Sequence, residues 1–156
     1  MDIAMTWKGK MAFEGMGESG ILQKIDADTS VGGENNGPRP MELIAMGLAG
    51  CTAMDVISIL QKKKQPVIDF QVKVHADRAG EHPKVFTQAV IEYLVKGRNV
   101  DDAALLRAIG LSADKYCPAQ AMLGKAFPMK LIFKILDEDT NAVLREGEYI
   151  QEKTGV

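Results

Sequence analysis

Between Glu42 and Asp55 the chain runs through twelve residues, LIAMGLAGCTAM, without one charged side chain. This stretch constrains the fold more than any other. Pro40 precedes it, Glu42 lies in what would be the first turn, and Lys62, Lys63 and Lys64 close the far end. Those are helix start and stop signals that also suit the helix dipole, so one long helix is predicted from Pro40 onward. A helix with no charge on any face must be covered on all sides. A bilayer span needs about 20 apolar residues, so the expectation is a buried central core helix and no membrane partner. Gly47, Ala49, Gly50 and Ala53 give it a small-residue surface suited to a second helix, from this chain or from another copy.

The flanking segments fill in an α+β fold. Residues 2–28 show period-two stretches broken at Gly9, Gly15, Gly17 and Gly20, which predicts an N-terminal β-meander. The run TSVGGENNGPRP is too rich in Gly, Asn and Pro for regular structure, so residues 27–39 are read as a loop or linker. VIDFQVKVHADR and KVFTQAVIEYLVKG, joined by AGEHP, read as a hairpin laid on the long helix, with the second strand slipping phase near Ile91. VDDAALLRAIGLSADKY is helical, capped by Asp101 or Asp102; CPAQAMLGKAF is a short second helix and PMKLIFKILDE a closing strand. A single domain is expected over residues 1–136, with the structure of the extension 137–156 left open.

Composition excludes several function classes. With 156 residues, 46% apolar and 26% charged, the chain holds one core. Its 19 basic and 21 acidic side chains create no field for nucleic acid or an anionic membrane. The N-terminus lacks a basic segment followed by an apolar one, so a cytoplasmic location is expected. In a reducing compartment the two cysteines, Cys51 and Cys117, are free thiols or a redox couple.

Pro118 suits a first helical position, which places Cys117 at the N-cap, where free N–H groups and the dipole favour a thiolate. A buried cysteine acting as a small hydrophobe fits the same pattern, and the residues leave both readings open. Cys51, mid-helix among apolar neighbours with Asp55 one turn away, looks structural unless the fold brings a cation to it. Neither CxxC nor metal-ligand spacing is present. His75 and His82 have no acidic cluster beside them, so no metal and no cofactor are expected. Lysines 62–64 read as a solvated helix end, and Trp7 and Phe13 as anchors for the meander.

The segments GPRPMELIAMGLAGCTAMDVISILQKKK, HPKVFTQAVIEYLVKG and SADKYCPAQAML, in that order, resemble the OsmC/Ohr family of osmotically induced and organic hydroperoxide resistance proteins. The resemblance covers residues 1–136. It implies an OsmC-like fold with an antiparallel sheet, an intertwined homodimer, and sites at the subunit interface. It further implies a cysteine-based peroxidase: the residue matching Cys51 attacks a hydroperoxide and becomes a sulfenic acid, and the residue matching Cys117 condenses with it to a disulfide. A dithiol reductant, often a lipoylated protein in this family, restores the pair.

One part of the family pattern is absent. The peroxidases activate the thiolate with an arginine from the N-terminal strand region, held by a glutamate at the start of the central helix. No arginine precedes Arg39 here, and Met41 fills the glutamate position, with Glu42 one place later and about 100° around the helix. Arg39 and Glu42 are the candidate substitutes; Lys8, Lys10 and Lys24 are further sources of charge. The alternative function is therefore an OsmC-like small-molecule binding or redox-sensing protein without efficient peroxidase activity, with Met41, Met46, Met54 and Met122 as adaptable pocket linings.

Overall fold

The computed structural model of the chain describes residues 1–151. It divides into two compact units, Met1–Met46 and Gly47–Val156.

The first unit is a three-stranded antiparallel meander of β1 (Ala4–Gly9), β2 (Ala12–Met16) and β3 (Leu22–Ile25). Gly9 and Gly20 sit at its two turns with positive φ, as their lack of a Cβ permits. Gly15 is not a turn residue: it pairs with Met5 inside β2, and a Cβ there would meet the Met5 sulfur at 2.0 Å. The strand uses glycine to let that side chain lie across it. Trp7 is exposed, its indole N–H donating to the Lys10 carbonyl at 2.9 Å.

The polar loop that follows is irregular apart from one 3-10 turn, Thr29–Val31, and two acids organise it. Buried Asp26 accepts the backbone N–H groups of Ala27, Glu34 and Asn36 at 2.8, 3.0 and 3.1 Å. These donors, Asn36 foremost, hold its carboxyl below the usual carboxylate range. Asp28 is pulled down to about 2, first by the Ser30 N–H and hydroxyl and then by Arg39.

The long helix α1 spans Pro40–Lys62 as predicted. Its length and composition alone would suffice to cross a membrane, yet one strip of it is core. Leu48, Thr52, Val56 and Leu60, spaced four apart, are buried. The opposite side is not covered within the chain: Ile44, Met46 and Met54 are exposed, and Gly47 and Gly50 face open space. The expectation of a helix enclosed on all sides is thus corrected for a single chain. Absence of charge on a helix therefore does not by itself say that each of its faces is buried within the chain.

The second unit carries a four-stranded sheet in the order β4 (Asp69–Arg78), β5 (Phe86–Lys96), β6 (Met129–Leu136), β7 (Val143–Tyr149). Its outer pairs are antiparallel, while β5 and β6 run parallel. The parallel pair requires a crossover, made by α2 (Asp102–Leu111), a π-helical turn (Ser112–Tyr116) and α3 (Pro118–Leu123). Strand β5 has no phase slip: Ala89, Ile91, Tyr93 and Val95 all point inward. Val90 and Leu94, which blur the alternation in the sequence, lie on the other face.

These inward residues join Leu131, Phe133 and Ile135 of β6, Leu105 and Ile109 of α2, and the buried strip of α1 in one core. Full burial of a side chain of this size contributes about 1.5–3 kcal/mol. Asp101 caps α2 by accepting the Ala103 N–H at 3.0 Å. Of the C-terminal segment that the sequence leaves open, residues 143–149 form β7 on the sheet edge; residues 152–156 lie outside the described range.

Candidate functional site

Both cysteines belong to the second unit. Cys51 sits on α1 next to the buried strip and is half-buried. Cys117 is the N-cap of α3, with Pro118 opening the helix, and only 2% of it is exposed. Its backbone N–H reaches back to the Ser112 carbonyl at 2.8 Å, closing the π turn, and its Sγ accepts the Gln120 N–H at 3.4 Å. Sixty-six residues apart in sequence, the two thiols lie near enough that Cys51 acts on the ionisation of Cys117.

The N-cap geometry follows the sequence, but its electrostatic consequence is reversed. Burial pushes the Cys117 thiol up to about 11, with the adjacent Cys51 adding to the rise, and the N–H donors of Gln120 and Ala119 offset only part of it. Desolvation of a sulfur held out of water outweighs two donors from a six-residue helix. Cys117 therefore rests as a thiol at neutral pH.

A chain of buried polar groups, not foreseen from the sequence, reaches this place. Ser112 Oγ donates to Asp55 Oδ2 at 3.0 Å. Thr52 Oγ1 lies 2.9 Å from Ser112 Oγ and 2.7 Å from the Tyr93 hydroxyl, which also receives Gln120 Nε2 at a long 3.5 Å. Thr52, Tyr93 and Ser112 are fully buried and Gln120 nearly so. The direction of the bonds is fixed at one end, because a carboxylate only accepts. Ser112 spends its proton on Asp55 and so accepts from Thr52; Thr52 accepts from Tyr93; Tyr93 is left with a lone pair for Gln120. Burial raises the Tyr93 phenol to about 12, keeping it a donor. The one available signal was Thr52 at the centre of an uncharged helix, since a buried hydroxyl implies partners.

Asp55 also borders an open cleft of about 530 Å³ lined by Lys62, Lys63, Leu111 and Tyr116. Of the methionines read as pocket linings, Met46, Met54 and Met122 are exposed and Met41 is half-buried. His75 meets Asp77 at 3.2 Å on the surface, and no cluster able to hold a metal occurs among the described residues.

Arg39 and Glu42 lie in the first unit, at the start of α1. The Arg39 guanidinium binds Asp28 at 2.7 Å, Asn35 at 3.0 Å and Glu42 at 3.2 Å, and Glu42 also accepts the Arg39 backbone N–H at 3.0 Å. Asp28 is the main reason that Arg39 is raised above its ordinary value. The lysines are paired as well, Lys8 and Lys24 with Glu14 at 3.4 and 4.0 Å, and Lys10 with Glu34 at 2.5 Å.

Two thiols brought together from a central helix and a Cys-Pro helix invite comparison with known proteins, and the OsmC-like protein family matches residues 33–132. The chain belongs to the OsmC-like family. It is 41% identical over 126 residues to protein YhfA of Escherichia coli, covering 81% of this chain and 91% of YhfA. A hypothetical protein from Aquifex aeolicus shares the OsmC-like fold at 28% identity and a TM-score of 0.77, over 88% of this chain and 97% of the other. An organic hydroperoxide resistance protein OsmC from Legionella pneumophila matches in fold, with a TM-score of 0.60 at 14% identity, over 84% and 95%.

Proposed function

We propose that this OsmC-like protein is a thiol-dependent peroxidase acting on organic hydroperoxides and hydrogen peroxide through Cys51 and Cys117. The observation that carries the reading is the proximity of the two thiols, which the fold brings together from positions 66 residues apart in sequence. Family membership supports it, as does the hydroperoxide resistance named for the Legionella fold relative. In the first step the Cys51 thiolate attacks the terminal peroxide oxygen; the O–O bond breaks, the alkoxide leaves with a proton as alcohol, and Cys51 becomes a sulfenic acid. Cys117 then attacks that sulfur. The S–S bond forms, the S–O bond breaks, and hydroxide departs with the Cys117 proton as water. A dithiol reductant returns both cysteines to thiols and is itself oxidised to a disulfide.

The exposed, uncharged side of α1 around Gly47, Gly50 and Met54 supports a homodimer, in which a second copy covers that surface. In such a dimer Arg39, held by Glu42, is the cation offered to a Cys51.

A second reading rests on that same arginine. Its guanidinium already binds two carboxylates and an amide oxygen, which favours a structural role and hence a binding or sensing protein with slow peroxide chemistry. Single-turnover thiol loss separates the two readings. Reduced protein, Cys51→Ser and Cys117→Ser are mixed with cumene hydroperoxide or hydrogen peroxide. The peroxidase loses two thiols rapidly, shows a trappable sulfenic acid in Cys117→Ser, and is silent in Cys51→Ser. Peroxide consumption no faster than that of free cysteine would leave the binding or sensing protein.

A further inference from the structure

We infer that Asp55, Ser112, Thr52 and Tyr93 form a one-way hydrogen-bonded strut that positions Cys117 for disulfide formation with Cys51, acting through Gln120. The inference rests on the dithiol reading above and goes beyond it by assigning the resolving step to residues outside the thiol pair. Helix α3 has six residues, too few to stay formed on its own. Its first turn is fixed from outside. Gln120, the third helical residue, uses its backbone N–H on Cys117 Sγ and its side-chain amide on the Tyr93 hydroxyl. The same residue thus sets the sulfur and is itself set by the strut.

The strut has a defined polarity. Asp55 orders the protons of Ser112, Thr52 and Tyr93 so that the phenol oxygen facing Gln120 is an acceptor. Loss of the Tyr93 hydroxyl leaves the Gln120 amide without its partner in a dry interior, and loss of the Thr52 hydroxyl leaves the Tyr93 O–H without the acceptor that turns its lone pair toward Gln120. The turn carrying Cys117 would then relax and the sulfur would spend less time in line with Cys51. Ser112 joins the strut to the thiol a second time, because its carbonyl holds the Cys117 N–H. The carboxylate end borders the open cleft, so this otherwise buried chain is anchored where water can solvate its charge.

The test avoids peroxide. Reduced full-length protein is mixed with oxidised glutathione and followed by mass spectrometry. The half-buried Cys51 displaces one glutathione thiolate and becomes a mixed disulfide; Cys117 then displaces the second glutathione thiolate and closes the protein disulfide. Tyr93→Phe and Thr52→Val are expected to lower the ratio of the second rate to the first by about three- to tenfold, the loss of one net hydrogen bond. Thr52→Ser, which keeps the hydroxyl, restores the ratio. A merely structural effect moves both steps together or lowers thermal stability with no change in ratio, and either result overturns the inference. Should Tyr93→Phe fail to fold, the Thr52→Val and Thr52→Ser pair decides alone. Hydroperoxide turnover in the parent with unchanged ratios in the variants removes the strut only. Variant-dependent ratios with no hydroperoxide turnover remove the peroxidase only, and a parent that closes no disulfide removes both.

Discussion

The Tyr149 hydroxyl donates to Asp114 Oδ2 at 2.5 Å, tying the last strand of the sheet to the π-helical turn that ends at Cys117. The ring passes over Gly110 on the preceding helix, where an added Cβ would meet ring atoms at 2.7–2.8 Å. Gly110→Ala gains about 1 kcal/mol of helix propensity, but the overlap costs about 1–3 kcal/mol. Net destabilisation in urea unfolding is expected. Tyr149→Ala removes the obstacle, so the same Gly110→Ala change should become stabilising in that background.

Alkaline pH should find two buried groups. Cys117 ionises at about 11 in the fold against an ordinary 9.0, so its contribution is complete below pH 9 and is lost as pH rises toward 11. Tyr93 repeats the pattern between 10.0 and about 12. Unfolding free energy measured across this range should fall, because the unfolded chain releases these protons first. Cys117→Ala should flatten the lower part of the fall and Tyr93→Phe the upper part; a parallel fall in both variants would assign the loss to other groups.

The loop before α1 depends on two acids and one arginine. Arg39→Ala leaves Asp28, Asn35 and Glu42 without their common partner, and Asp26→Ala frees the N–H groups of Ala27, Glu34 and Asn36. Hydrogen exchange of amides 27–38 should accelerate in both variants while exchange in β5 and β6 stays as in the parent. Unchanged exchange in the loop would show that the two acids do not hold it.

The proposed homodimer is tested on α1. Met54→Glu places a charge on its exposed side, where the parent has Gly50 one turn back and open space. A charge buried there without a partner costs several kcal/mol, so light scattering should read a dimer for the parent and a monomer for the variant. A monomeric parent would end the proposal.

Much of this architecture is legible in the sequence for physical reasons. Pro40, Glu42 and Lys62 mark the limits of α1 because the helix dipole and the special chemistry of proline act locally. Asp101 and the Cys117–Pro118 pair mark two more helix starts in the same way. The direction of β6 is not local. It depends on how far the crossover carries the chain, and a short apolar strand reads the same whether its neighbour is parallel or antiparallel. Gly15 misleads because a glycine that makes room for Met5 looks like one that makes a turn. At the site, the cysteines are visible as residue types, but the rise at Cys117 comes from burial, which no neighbour in sequence reports. The strut is harder still to see, since Thr52, Tyr93 and Ser112 are ordinary residues that become a unit only when α1, β5 and the π turn meet.

That meeting has a consequence for timing. Cys51 leaves the ribosome long before Cys117, and the sheet that brings them together is not finished until β6 and β7 have followed. A growing chain therefore holds a lone thiol with no neighbour to resolve it. If oxidised at that stage, it would have only small-molecule thiols to rescue it from further oxidation. The proposed pair therefore exists only once both segments have been made and folded together.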